Sequence, residues 1–158
     1  MELEFYKIRE DAKLPYRAHP NDAGMDLFYC PDLTQESVCI WRPNRSFRVP
    51  PGENCLVPTG LKVDLPPRYM LEIKNKSSIA SKRQLIVGAC VVDPGYTGEI
   101  YVNLHNVGRA TQNISEGQKI AQAVLVPIEI CGVKEVFTDP EHKETNRGSG
   151  GFGSTGEF

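Results

Sequence analysis

The segment Val91-Val92-Asp93-Pro94-Gly95-Tyr96-Thr97-Gly98-Glu99-Ile100 sets a carboxylate beside a tight turn. Two β-branched residues lead into Asp93, the Asp-Pro-Gly turn follows, and Tyr96 projects from it. An ionised carboxylate at such a place can hold and polarise a water molecule. The ring of Tyr96 can lie against a sugar or a base. A plain hairpin turn with a packing tyrosine would use the same residues.

Other segments offer groups suited to an anionic ligand. Lys76-Ser77-Ser78-Ile79-Ala80 joins a strand end to a short helical stretch, so a cation, two hydroxyls and free backbone N–H groups face one place. Read blandly, the same residues are a serine cap with a solvated lysine. Ala23-Gly24-Met25-Asp26-Leu27 puts a carboxylate at the mouth of a strand just after a glycine, which also suits ordinary turn chemistry. Gly117-Gln118-Lys119-Ile120-Ala121-Gln122 opens an apolar strand and carries an amide at Gln122. The end of the chain, Arg147–Gly156, reads RGSGGFGSTG, with five glycines and no aliphatic residue. Arg147, Ser149, Ser154 and Thr155 supply a guanidinium and hydroxyls, and the glycines let backbone N–H groups approach anionic oxygens. Phe152 has nothing local to pack on, which suits either a mobile tail or a lid that stacks on a base.

The elements that must position these groups are short strands. The pattern predicts strands at Leu3–Lys7, Asp26–Tyr29, Cys55–Val57, Leu61–Asp64, Tyr69–Lys74, Ile86–Val92, Ile100–His105, Ile120–Ile128 and Gly132–Val136. Turn signals at Pro50-Pro51-Gly52, Pro66-Pro67, Asp93-Pro94-Gly95 and Glu116-Gly117 separate them. Ile100, Val102 and Leu104 alternate with Tyr101, Asn103 and His105, giving that strand one apolar face. Ser78–Arg83 suits a turn or two of helix, and Pro31–Phe47 reads as a less regular excursion. An all-β sandwich or jelly-roll barrel is expected, with residues 1–137 as a single core and 138–158 as a glycine-rich arm that cannot order itself.

Bulk composition narrows the partners. A length of 158 residues suits one domain, and a formal net charge of −2 gives no reason to expect a nucleic-acid or membrane surface. A polyanionic substrate would need local basic groups. Charges interrupt Met1–Glu10, and no apolar run is long enough to span a bilayer, so an intracellular, cytoplasmic protein without signal peptide is expected. Cys30, Cys39, Cys55, Cys90 and Cys131 are odd in number and lack paired-ligand spacing, as scattered reduced thiols would.

Taken in order, AGMDL, KSSIA, GACVVDPGYTGEI, GQKIAQ and RGSGGFGSTG resemble the five motifs of the trimeric dUTPase family, from Ala23 to Gly156. The resemblance implies a jelly-roll or distorted β-barrel subunit, a homotrimer with three shared active sites, and an arm that closes over a neighbour's site. It implies hydrolysis of dUTP to dUMP and pyrophosphate, which controls dUTP and supplies dUMP for dTTP synthesis. Asp93 would then position the attacking water as general base, and Tyr96 would pack on the deoxyribose. Backbone around Gly88, Cys90 and Val91 would read the uracil edge. Lys76, Ser77 and Ser78 would bind the phosphate chain, with Gln122 near the α-phosphate. Arg147, Gly153, Ser154 and Thr155 would grip the far phosphates, and Phe152 would stack on uracil. Asp26 would join the water network around Mg2+, the implied cofactor, which phosphate oxygens and waters would mainly hold.

Two positions depart from the family pattern. Lys76 stands where an arginine is usual, keeping charge without the bidentate fork. Cys90 stands where a glycine is common. The Lys-Ser-Ser and Asp-Pro-Gly pieces also resemble dCTP deaminase, a relative of the same fold that deaminates the base. That reaction needs a glutamate where this chain has Asn103, and an amide cannot shuttle protons at neutral pH. A non-catalytic binding module is the other alternative, although Asp93, Tyr96, Arg147 and Phe152 are all retained. Pro31–Phe47 is the segment where an additional protein partner would be sought.

Overall fold

The structure, a computed structural model, describes residues 1–34, 40–41 and 45–137, and of residues 40 and 41 the backbone alone. Short β-strands dominate, joined by tight turns. In chain order they are β1 (Glu4–Lys7), β2 (Met25–Phe28), β3 (Ile40–Trp41), β4 (Ser46–Val49), β5 (Asn54–Pro58) and β6 (Leu61–Asp64). Then come β7 (Tyr69–Lys74), helix α1 (Ser77–Arg83), β8 (Leu85–Val87), β9 (Val91–Val92), β10 (Tyr101–Asn106), β11 (Gln112–Ile114) and β12 (Lys119–Pro127). They pair as β2-β12-β7-β9, β5-β10-β8, β11-β4-β3 and β1-β6, every pairing antiparallel.

One core lies between these sheets. The alternation expected of Ile100, Val102 and Leu104 is realised, for all of them are buried while Tyr101, Asn103 and His105 are only partly covered. Leu27, Leu71, Ile73, Ala121 and Ala123 join them from the four-stranded sheet. The Asp-Pro-Gly turn forms as its sequence demands. Gly95 takes a φ of 86°, Pro94 precedes it, and Tyr96 N–H donates to the Asp93 carbonyl at 3.2 Å, which is the pattern of a type II turn.

The structure corrects several expectations. Ile86–Val92 is not one strand but two, β8 pairing with β10 and β9 with β7, so the chain leaves one sheet and enters another across Gly88–Cys90. Of that run only Val92 is buried, while Ile86 and Val91 are 36% and 53% exposed, so its unbroken apolar character does not mark one covered strand. Gly132–Val136 forms no strand, and Val133 and Phe137 are 99% and 89% exposed. Its residue types favour a strand, but a strand also requires a hydrogen-bonding edge, and no described residue offers one to it. Three strands were not anticipated. In β4 only Phe47 and Val49 betray the strand, in β11 only Ile114 is buried, and β3 is two residues long. Part of the irregular excursion at Pro31–Phe47 is thus β3 and the start of β4. The helix begins one residue early, at Ser77, and ends with Lys82 and Arg83, cations that suit the negative end of its dipole. Arm residues 138–158 lie outside the described residues.

Candidate functional site

Asp93 sits on the protein surface at the mouth of the turn that follows β9. Val91 and Tyr96 are exposed beside it, and with Leu56, Glu99 and Tyr101 they line a cleft of about 250 Å³. The Tyr96 hydroxyl donates to the Glu99 carbonyl at 2.9 Å, which fixes the ring against the cleft wall. Glu99 itself turns away. It pairs with Arg9 and accepts the Gly60 N–H at 2.7 Å, so it is tied into the scaffold.

The crossing segment between β8 and β9 is pinned by side chains. Val87 N–H donates to Asn75 Oδ1 at 2.6 Å, Gly88 N–H to the Asn103 carbonyl at 2.9 Å, and Ala89 N–H to Asn103 Oδ1 at 3.2 Å. The Cys90 carbonyl accepts from Ile73 N–H at 2.7 Å. The Ala89 carbonyl and the Cys90 N–H take no protein partner among the described residues. One acceptor and one donor therefore stand open side by side.

A second cluster forms around Asp26, which is 4% exposed. Lys76 Nζ lies 2.7 Å from its Oδ1 and Lys119 Nζ 2.6 Å from its Oδ2. Lys76 ends the connection from β7 to α1, so the lysine of the second motif meets the aspartate of the first. Lys119 reaches the same carboxylate because β12 has a register irregularity between Lys119 and Ala121, and a bulge of that kind re-aims a side chain. Its ammonium also lies 4.9 Å from the centre of the Tyr16 ring. Gln122, opposite Asp26 across the strand pair, donates to the Asn75 carbonyl at 2.9 Å. Ser77 and Ser78 open α1 with exposed side chains next to Lys76.

Burial pushes the Asp26 carboxyl up, but hydrogen bonds from Lys119 and Lys76 outweigh it and hold the group below the ordinary carboxylate range. A carboxyl whose folded value is depressed stabilises the fold above its unfolded value, about 3.9, and loses that contribution as pH falls through the folded value. Melting temperatures followed from neutral pH to about pH 2 should drop more steeply below about pH 4 in the unmodified chain than in Asp26→Asn. Parallel curves would mean that the two ion pairs contribute nothing to stability.

The two clusters do not meet within one chain. Val92 stands opposite Leu71, which brings Asp93 level with Met70, whereas Asp26 and Gln122 are level with Lys74. Four residues of strand at about 3.3 Å and three strand spacings of about 4.8 Å place the backbones of Asp93 and Asp26 on the order of 20 Å apart. That is farther than the triphosphate of one nucleotide reaches. Arg147, Phe152, Gly153, Ser154 and Thr155 lie outside the described residues. Sequence reasoning gives Asn75, which stands where the family usually has proline, no role, singles out neither Lys119 nor His105, and reads Asn103 only as a missing acid. Lys119 lies inside GQKIAQ, and Asn103 and His105 sit on the polar parity of β10, which were the available signals.

The dUTPase family model matches residues 42–156, most of the chain. The chain belongs to the dUTPase family. Among relatives, the deoxyuridine 5'-triphosphate nucleotidohydrolase of Gloeothece citriformis is 40% identical over 99% of this chain and 97% of its own. That of Clostridium kluyveri is 40% identical over 99% of each. Among solved structures, the dUTPase of Staphylococcus bacteriophage 80alpha with dUPNHPP superposes with a TM-score of 0.81 at 25% identity, over 98% of both chains. A mutant dUTPase of phage phi11 of S. aureus, described for its coordination of a structural Mg(II) ion, gives 0.74 at 25% identity over 88% of this chain and 99% of that one. This dUTPase-family chain is mostly β with one short helix among the described residues, and no helix among them is long and apolar enough to cross a membrane.

Proposed function

We propose that this protein hydrolyses dUTP to dUMP and pyrophosphate, limiting dUTP and supplying dUMP. One observation carries the reading: an open donor–acceptor pair at Ala89 and Cys90 leads directly in sequence into Val91, Asp93 and Tyr96, which line a single cleft and expose a carboxylate and a tyrosine ring. A uracil edge offers a ring carbonyl to the Cys90 N–H and its N3–H to the Ala89 carbonyl. Cytosine presents an acceptor at N3 and meets that carbonyl unfavourably. Unpaired polar groups in such a contact discriminate strongly between bases. Tyr96 packs on the deoxyribose, where a 2'-hydroxyl would clash. Asp93 orients a water for in-line attack on the α-phosphorus and takes its proton.

Lys76, Ser77, Ser78 and Gln122 receive the phosphate chain. The donor set fits Mg2+ carried in on the substrate. Among the described residues no three His, Cys, Asp or Glu side chains form a protein cage, and the Asp26 carboxylate keeps acceptor capacity beyond its two ammonium partners. Asp26 would hold the ion through water. Bound to the phosphates, the ion supplies charge neutralisation and alignment for in-line displacement.

Because Asp93 and the Asp26 cluster are far apart in one chain, a complete site joins the turn of one copy to the cluster of another. Two different patches meeting head to tail close into a ring rather than a two-fold dimer. The family resemblance supports a ring of three jelly-roll subunits. Ile130, Val133, Val136 and Phe137, all exposed in a single chain, suit burial against a neighbour in it. Residues 138–158 act as an arm: Phe152 stacks on uracil, and Arg147, Gly153, Ser154 and Thr155 hold the γ-phosphate.

The test is pyrophosphate release with Mg2+ from dUTP, dCTP, dTTP and UTP, with the nucleotide products separated chromatographically. Release with dUMP from dUTP alone is expected. Conversion of dCTP would make deamination the better reading despite Asn103, and silence on all four would leave a binding module.

A further inference from the structure

We propose that Asn103 is a positioning residue that sets base selectivity, by holding the Ala89 N–H away from the substrate. The inference rests on the base-reading role given above to the segment between β8 and β9. Asn103 and His105 lie on the same face of β10, opposite the buried Val102 and Leu104. Asn103 takes both neighbouring amides of the crossing, Gly88 N–H through its carbonyl and Ala89 N–H through its side chain.

The orientation of its amide is determined from both ends. Nδ2 donates to Asn54 Oδ1 at 3.2 Å, and Oδ1 lies 2.9 Å from His105 Nε2. That last contact is attractive when His105 carries its hydrogen on Nε2. The backbone is drawn close to this pair. A Cβ on Gly88 would fall 2.2 Å from Asn103 Oδ1 and 2.3 Å from His105 Nε2, so any larger residue there would displace these two side chains. A polar network that satisfies every member holds a backbone more firmly than its separate bonds would.

The consequence for selectivity concerns what the base meets. With the Val87, Gly88 and Ala89 N–H groups all occupied, the Cys90 N–H is, among the described residues of this crossing, the backbone donor left beside the Ala89 carbonyl. Without the Asn103 side chain the Ala89 N–H loses its partner and can turn towards the base. A second N–H there would donate to the N3 lone pair of cytosine and weaken rejection of dCTP.

The test measures kcat and KM for dUTP and dCTP on the unmodified full chain and on Asn103→Ala, His105→Phe and His105→Gln. For Asn103→Ala the ratio of kcat/KM for dUTP over dCTP should fall at least about tenfold, through a lowered KM for dCTP, with kcat for dUTP within about threefold of the unmodified chain. His105→Phe should move the ratio the same way, while His105→Gln, which keeps an N–H donor, should hold it near the unmodified value. A ratio within about twofold of the unmodified chain in Asn103→Ala overturns the proposal, as does a fall in kcat with the ratio intact, the mark of a purely structural role. If Asn103→Ala fails to fold, the histidine pair decides, and equal ratios for Phe and Gln overturn it. An unmodified chain inert towards dUTP would remove the base-reading role itself, a failure distinct from a discriminating enzyme that Asn103 does not control.

Discussion

Asn in place of Asp93 should lower kcat for dUTP by about three orders of magnitude or more, with binding of a non-hydrolysable dUTP analogue within a few-fold of the unmodified protein. The side chain lies on the surface and makes no hydrogen bond or ion pair with a described residue, so its amide analogue leaves no buried group unsatisfied. Substitutions at such places usually change stability by less than about 0.5 kcal/mol. The loss would therefore fall on the step in which a proton must be accepted from the attacking water. Single-turnover rates, analogue titration and a melting curve on the same preparation check it. Retention of more than about a tenth of the rate would remove Asp93 from water activation.

Deleting residues 147–158 should cost about 10²–10³-fold in kcat/KM while leaving the melting temperature unchanged. Among the described residues every buried core residue lies at or before Ala123, so truncation after Asn146 removes nothing from the described packing. What goes is one aromatic ring, one guanidinium and several hydroxyl and amide donors. Stacking contributes about 1 kcal/mol and a charge-assisted phosphate contact about 2–3 kcal/mol, which together span the predicted loss. Circular dichroism, size-exclusion chromatography and kinetics on the truncated chain decide the matter. A truncated protein that fails to fold would count against the arm as a lid, and one with full activity would leave it without a catalytic role.

The sequence made the local chemistry of the site legible and its long-range geometry much less so. Asp-Pro-Gly specifies its turn through one fixed φ and one positive φ, so the sequence alone places Asp93 and Tyr96 on a turn. The alternation in β10 was equally readable, because burial of one face imposes a period of two. Lys119 was missed because a bulge breaks that period and aims it at Asp26. The division of Ile86–Val92 was missed because an unbroken apolar run reads as one strand, although only Val92 of it is buried and its two ends pair in different sheets. Gly132–Val136 shows the converse: composition can favour a strand whose partner edge no described residue supplies. The weak polar strand β11 depends on β4 for its place, a pairing that no local pattern encodes.

The separation of Asp93 from the Asp26 cluster also has a genetic consequence. Under the shared-site arrangement proposed above, each chain lends its turn to one site and its cluster to another. A defect in either half therefore spoils one contribution of the chain and spares the other. Two alleles, one damaged at Asp93 and one at the Asp26 cluster, would each carry their defect into every site of a pure ring, yet rings mixed from both can contain a site built from two undamaged halves. Inheritance of activity would then follow the pairing of faces and not the soundness of any single polypeptide.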